Sequence, residues 1–393
     1  MFSVFHSTRK FAAHALGTLG FLALAACEPI DLAGIGGTGG QQIDPNSAVP
    51  VALLVPRGGG NAGDDLLAQS LENAARLAVS GLQSAAIDLR VYGTAGNAQT
   101  AAAQAQKAVA DGAKIIIGPL YAEAANAVGV AVSGDNVNVL SFSNNVSIAG
   151  GNVFVMGPTF ANTAERLMGF AASQSKGRIV VVHANDVAGQ AGRDAIQSAA
   201  SKSAAQIVGT VSYQLTQTGV AAAAPQVKQS VTDTAADAVF LTSTPAGALP
   251  LFSSLLPDNG VDPANTQFIG LSRWDIPTQT LSLDGLQNGW FAVPDPASTA
   301  NFANRYQAAY GKAPHPIAGL AFDGIAAVGA LVAQGKRDAL KANSLTQASG
   351  FQGASGAFRL RSDGTNQRAV AVATIRGNQK VILDPAPRSF GGF

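Results

Sequence analysis

The chain predicts an α/β protein of two doubly wound, parallel-sheet lobes with a short antiparallel portion near the C-terminal end. Three observations carry this. Short Val/Ile/Leu-rich runs alternate with helical stretches of roughly ten to fifteen residues, the pattern of strands joined by crossover helices. The strand runs are apolar on both sides, as expected of sheets covered by helices on both faces. Finally, the folded part exceeds a typical single domain, and 47% hydrophobic against 12% charged residues can fill two cores.

The first element in chain order stands apart from that fold. Arg9 and Lys10 precede "FAAHALGTLGFLALAA", an apolar run that is interrupted by polar residues and ends in small side chains, the order of a signal peptide. It is short for a membrane span, which needs about 20 apolar residues. Cys27 is the only cysteine, so it has no disulfide partner, and no cluster of zinc ligands surrounds it. Leu24-Ala25-Ala26-Cys27 instead resembles the bacterial lipobox, in which the chain is cut before the cysteine and the cysteine carries lipid. Residues 1–26 are therefore expected to be a lipoprotein signal peptide. Cys27 is expected to be the lipidation site, and residues 27–48, rich in Gly, Gln, Asp and Pro, a flexible tether. "GIGGTG" (Gly34 to Gly39) spells a dinucleotide-binding pattern, but no strand precedes it and no helix follows it, so it reads as linker.

Beyond the tether, "VPVALLVP" reads as a strand, "RGGGNAGDD" as a loop, and the next stretch as a helix whose Leu67, Leu71, Ala74, Ala75 and Ala78 line one face. The unit repeats through "AIDLRVYGT", "AQTAAAQAQKAVADG", "AKIIIGP", "YAEAANAVGVAVSG", "VNVLSFS" and "VFVMGPTF". Asn162 followed by Glu165 reads as a helix start that opens a second series. Its strands are "RIVVVHA", "AQIVGTVSY", "ADAVFLTST" and "TQFIGLSRW", with "APQVKQSVTDTA" among the intervening helices. Two further helices follow. The tail then reads as antiparallel: Phe358 and Leu360 alternate, Asp363-Gly364 turns, and Val370, Val372 and Thr374 alternate again.

A formal net charge of +1 with no basic cluster gives no electrostatic case for nucleic acid. Reactive side chains are few. Beyond Cys27 the only histidines are His183, at the end of a buried strand, and His315, in a proline-rich turn, and neither has zinc-ligand spacing. Ser173-Gln174-Ser175-Lys176 spells S-x-x-K, but it closes a helix where the penicillin-binding nucleophile opens one, and no K-T-G follows. The residues point to no enzyme, no cofactor and no metal, and leave a binding site. In parallel sheets ligands sit beyond the carboxyl ends of the strands. Here those loops are "GPLYAE", "SFSNN", "HANDVAG", "TSTPAG" and "SRWD". Ser141, Ser143, Thr242 and Ser272 can donate to a carboxylate, and Asp186 or Asp275 can receive an ammonium group. Tyr121 and Arg273 complete the candidate set. Ser, Asn and Asp after strands are also ordinary helix caps.

The order of elements, carried by "VALLVPRGGGNAGDDLLAQSLENAARLAV", "AKIIIGPLYAEAANAV", "FVMGPTFANTAERLMGFA", "RIVVVHANDVAGQAGRDAI", "NFANRYQAAYGKAPHPIAGLAFDGIAAV" and "FQGASGAFRLRSDGTNQRAVAVATI", resembles the type 1 periplasmic-binding fold, in its leucine/isoleucine/valine-binding branch. The resemblance implies a hinged cleft between two lobes joined by three crossovers, near Gly157 to Phe160, Trp290 to Asp295 and Gly350 to Gly356. It places residues 49–157 and 295–350 in one lobe, and 158–294 and 351–385 in the other. Amino-acid-binding members present small hydroxyl residues where this chain has Leu120-Tyr121, and a Tyr-Gly pair where it has Val187-Ala188-Gly189. "FIGLSRWD" and the lipobox look more like the penicillin-binding protein activators, lipoproteins of the outer membrane that stimulate a peptidoglycan synthase. That resemblance implies a periplasm-facing, lipid-anchored body at the outer membrane, to which Glu28 after the cysteine also inclines, with a penicillin-binding protein as partner. The alternative it implies is a solute-binding protein that delivers a branched-chain or other amino acid to an ABC permease.

Overall fold

The computed structural model describes residues 39–390, so the expected signal peptide and the lipidation site Cys27 lie outside the described residues. The first series runs β1 (Val49–Val55), α1 (Ala62–Ser80), β2 (Ile87–Gly93), α2 (Ala98–Ala110), β3 (Ile115–Ile117), α3 (Ala122–Ala131), β4 (Asn138–Ser141) and β5 (Val153–Val155). Its strands form a wholly parallel sheet in the order β2-β1-β3-β4-β5. Period-two alternation explains why the strand sequences are apolar throughout. Val51, Leu53, Val55, Ile115 and Ile117 enter one core, and Ala52, Leu54, Ile116 and Val139 enter the core on the opposite face.

The second series runs α4 (Phe160–Ser173), β6 (Arg178–Ala184), α5 (Val187–Ala200), β7 (Gln206–Tyr213), α6 (Gln217–Thr234), β8 (Ala238–Leu241), α7 (Leu249–Asp258), β9 (Gln267–Gly270) and β10 (Trp290–Pro294). The chain then returns to the first lobe through α8 (Pro296–Tyr310), α9 (Gly319–Val332) and α10 (Ala342–Leu345). Phe302, Tyr306, Ile325 and Val328 of these helices complete the core beneath β1 and β3. An antiparallel trio follows, β11 (Phe351–Gly353), β12 (Gly356–Leu360) and β13 (Asn366–Arg368). Last come β14 (Val370–Arg376) and β15 (Gln379–Asp384), which add antiparallel strands to a seven-stranded sheet of order β15-β14-β10-β9-β8-β6-β7.

Four details differ from the sequence reading. Residues 39–48 are pinned rather than free: Ile43 is buried in the first lobe's core, its N–H bonds Arg337 O at 2.9 Å, and Asn138 Nδ2 holds Gly39 O at 3.0 Å. Helix α4 is capped at Thr159, three residues before the expected start. Asn162 is its third residue, and its Oδ1 accepts the Thr159 N–H at 3.0 Å. Helix α6 begins at Gln217 and runs through Pro225, which is exposed, so the carbonyl left without its N–H partner can meet water. The trio β11–β13 was expected with the second lobe. Phe351, Phe358 and Leu360 instead bury in the first lobe's core, so the third crossover falls at Arg368 to Val370.

The three crossovers are tied together by buried polar groups. Asn366 Nδ2 donates to Val155 O (2.9 Å) and Gly157 O (2.8 Å), and Arg368 Nε donates to Met156 O at 2.8 Å. Asp295 N reaches Ser355 O at 3.0 Å. Arg368 also pairs with Asp323 of α9 at 2.8 Å, both side chains almost wholly buried, while its guanidinium lies 5.1 Å from the centre of the Phe358 ring.

Candidate functional site

The chain leaves β5 and β10 at their carboxyl ends to cross between lobes, and Pro294 at the end of β10 pairs with Val370 at the start of β14. The carboxyl ends of both sheets therefore lie on the side where the lobes meet, and the strand-end loops line that region. Among the described residues no hydrogen bond joins the strand-end loops of one sheet to those of the other; side-chain bonds between the halves, such as Asn162 Nδ2 to Asn366 O at 3.2 Å, lie at the crossovers.

In the first lobe the polar groups of these loops are largely bonded to one another. Arg57 after β1 is held by Glu72 of α1 at 2.7 Å, and Arg76 holds the other Glu72 oxygen at 2.8 Å. Burial alone pushes the Glu72 carboxyl up, but the hydrogen bonds from Arg57 and Arg76 outweigh it and leave it below its ordinary value. Gly118 has φ +88°, and a Cβ there would overlap Leu54 O, so this turn after β3 requires glycine. Ser141 steadies it: its Oγ donates to Pro119 O at 3.1 Å and accepts the Ser143 N–H at 3.1 Å. Ser143 Oγ in turn accepts the Asn145 N–H at 3.1 Å. Tyr121 is half-exposed at the start of α3, and its hydroxyl donates to Asp64 Oδ1 at 2.5 Å. That hydrogen bond, followed by burial, raises the phenol pKa. Asp64, Gly96, Tyr121 and Glu123 border an open depression of about 410 Å³.

The second lobe is different. Asp186 is exposed and caps α5 through Gly189 N at 2.7 Å. Tyr213 beside it has its phenol pushed up to about 12, chiefly by burial and then by the Asp186 charge. Ser272 Oγ donates to Ser243 O at 2.9 Å. Arg273 is bound through two nitrogens to Asp275 at 2.9 and 2.6 Å, and Lys380 adds a third contact at 2.8 Å. Burial would raise the Asp275 carboxyl, but these two cations hold it below its usual range. Trp274 between them is fully buried against Phe291, and a Cβ at Gly270 would overlap its indole, so "LSRWD" is a packing element. The Thr242 and Ser243 hydroxyl oxygens after β8 are buried with no hydrogen-bond partner among the described residues, as is Trp274 Nε1.

The candidate residues thus fall into two groups, Tyr121, Ser141 and Ser143 on one sheet and Asp186, Thr242, Ser272 and Arg273 on the other. Of the seven, only Thr242 keeps a buried, unbonded polar atom. Sequence reasoning missed Ser243, its neighbour, and Asp64, which reads only as an acid in the first turn of α1. His183 is buried with Nδ1 2.9 Å from Ala184 O, and Ser173 Oγ donates to Phe170 O at 2.7 Å. Among the described residues no group of three His, Cys, Asp or Glu converges as a metal site, and no helix is long and apolar enough to cross a membrane.

Residues 48–380 match the periplasmic binding protein family, and the chain belongs to it. Solved structures share its fold at low identity. A candidate branched-chain amino acid ABC transporter protein of Rhodospirillum rubrum is 16% identical with a TM-score of 0.70, over 86% of this chain and 100% of that one. A branched-chain amino acid ABC transporter periplasmic ligand-binding protein of Burkholderia xenovorans is 17% identical with a TM-score of 0.64, over 87% and 94%. A solute-binding protein of an ABC transporter from Rhodopseudomonas palustris, in complex with 3,4-dihydroxybenzoic acid, is 18% identical with a TM-score of 0.52, over 87% and 97%. No curated protein matches the chain.

Proposed function

We propose that the protein is a non-catalytic solute receptor. Its lobes close on one small molecule at the strand ends, and the closed body serves the permease of an ABC importer. The observation that carries this reading is the pairing of two sheets whose parallel strands end toward the crossovers, with buried hydroxyls at Thr242 and Ser243 that none of the described residues bonds. A ligand carboxylate suits those hydroxyls, and an ammonium group suits the Asp64 and Glu123 rim, so the ligand class is an α-amino acid. Family membership and the transporter proteins that share the fold support it. Bond-breaking finds no support in the side chains described, since His183 and Ser173 are both engaged by backbone carbonyls.

The reading as an activator of a peptidoglycan synthase rested on the lipobox, the "LSRWD" stretch and the missing tyrosine. The second of these now has a packing explanation, which leaves it the weaker reading. Cys27 remains the proposed lipidation site, and Cys27→Ser is expected to move the protein from the detergent phase to the aqueous phase on partitioning. An outer-membrane address, to which Glu28 inclines, belongs with the activator reading, and membrane fractionation separates the two.

Calorimetric titration with leucine, isoleucine, valine and 3,4-dihydroxybenzoate tests the proposal. Saturable heat at micromolar affinity or tighter with an amino acid, weakened about tenfold by Thr242→Val through loss of a hydrogen bond to a charged group, is the expected result. No heat with any of them, together with capture of a peptidoglycan synthase by the purified protein, would reverse the ranking.

A further inference from the structure

Away from the strand ends, cations concentrate beside the crossovers. In β12 and β13 alternation turns Phe358, Leu360 and Arg368 inward, so Arg359, Arg361 and Gln367 face outward. Opposite them, Glu165, Arg166 and Gly169 lie at spacings of one turn on the same side of α4. The end of β15 and the tail after it form a third wall. Asp384 pairs with Arg166 at 2.7 Å, Arg388 O accepts from Gln352 Nε2 at 2.6 Å, and Phe390 lies 5.0 Å from the Arg359 guanidinium. Two adjoining hollows of about 510 and 290 Å³ share Glu165, Gly169, Arg359 and Gln367.

The charges here do not balance. Glu165 is shared by Arg361 (2.9 Å) and Lys202 (3.2 Å), and Asp384 is taken by Arg166. Arg359 and Arg388 have no carboxylate partner among the described residues, in a chain whose formal net charge is only +1. Arg359 is also pre-oriented, since Nε donates to Gln367 Oε1 at 2.8 Å and its plane rests by Phe390. A second feature keeps the hollow clear. Gly169 sits inside α4, where alanine would make the better helix, and a Cβ there would meet no atom within 4 Å.

We propose that this groove is an anion site that takes a small soluble polyanion, of the phosphate or polycarboxylate class, between Arg359 of the first lobe and Arg388 of the tail. Its concavity suits a small molecule, because a flat anionic membrane would reach exposed Arg388 but not the floor beside Gly169. The walls come from both lobes and the tail, so an ion bound there couples to lobe closure. The site is spatially separate from the strand-end cleft and shares no lining residue with the Asp64–Tyr121 depression.

The test is calorimetric titration of inorganic pyrophosphate, and separately of citrate, into the whole protein at low ionic strength. Saturable one-site binding of either probe is expected, weakening as salt is added. Arg359→Gln and Gly169→Glu, the latter placing a carboxylate on the floor, should each weaken it at least tenfold while thermal unfolding stays cooperative. Arg388→Gln, whose side chain makes no hydrogen bond among the described residues, gives the same reading should either of those fail to fold. Arg57→Gln, at the strand-end rim, should leave binding unchanged. No saturable binding of either probe, undiminished binding in the variants, or binding only to phosphatidylglycerol vesicles would overturn the proposal.

Discussion

The crossovers and the strand-end loops sit at the same ends of the same sheets, yet they use buried polar groups differently. At the crossovers Asn366 Nδ2, Arg368 Nε and Nη1 and the Asp323 carboxylate are bonded to backbone carbonyls or to each other, and only Asn366 Oδ1 and Arg368 Nη2 of this network lack a partner among the described residues. At the strand ends of the second lobe the hydroxyl oxygens of Thr242 and Ser243 are buried and bonded to nothing among the described residues. A buried network specifies one arrangement, whereas a buried unbonded hydroxyl is a standing loss that a ligand can recover. The comparison teaches that most of the polar groups at the pivot are held by the protein itself, while the two side-chain hydroxyls after β8 are held by none of the described residues.

The largest effect tests the pivot. Asp323→Ala strands Arg368 without its carboxylate and should lower stability by about 3–5 kcal/mol, read as a fall in the thermal midpoint. A small fall would mean that the crossovers are held by packing rather than by this pair. Next comes Ser141→Ala, which leaves the buried Ser143 N–H without its acceptor and should remove about 1–3 kcal/mol in urea unfolding.

An intermediate effect concerns acid. The Asp275 carboxyl is held below its unfolded value by Arg273 and Lys380, so its contribution is complete above about pH 4, the unfolded carboxylate range. It is lost as pH falls from there through the folded value. Arg273→Gln weakens that hold, so its acid unfolding should begin at a higher pH than in the unaltered protein; coincident acid transitions would dissociate this pair from stability. The smallest effect sharpens the contrast with Ser141: Thr242→Val removes a hydroxyl that bonds nothing among the described residues and should leave the urea midpoint nearly unchanged while weakening solute binding.

Much of the fold was legible because alternating burial leaves a trace in the residues themselves. The uninterrupted apolar runs "VALLV" and "III" are β1 and β3, buried on both faces. The start of α4 was misplaced because Asn162 followed by Glu165 matches a capping pattern, while Thr159, the actual cap, directly follows a proline. The third crossover was misplaced for a deeper reason. Phe358 and Leu360 alternate in the same way whichever lobe their strand packs against, and only their contacts in the core decide it. The same limit governs the site. Sequence shows that Ser141 ends a strand and that Thr242 follows one; it does not show that one hydroxyl turns to Pro119 O while the other finds no partner among the described residues. The groove at Arg359 and Arg388 was equally hidden, since its charges come from segments far apart in the chain.

The central claim is that two lobes close over a ligand. Spin labels at Leu66→Cys on α1 and Val187→Cys at the start of α5, both exposed, in a Cys27→Ser background, report the separation of the lobes directly. A broad, longer distance distribution that shortens and narrows when the amino acid identified by calorimetry is added is the predicted result. A distribution unchanged at saturating ligand would contradict the account.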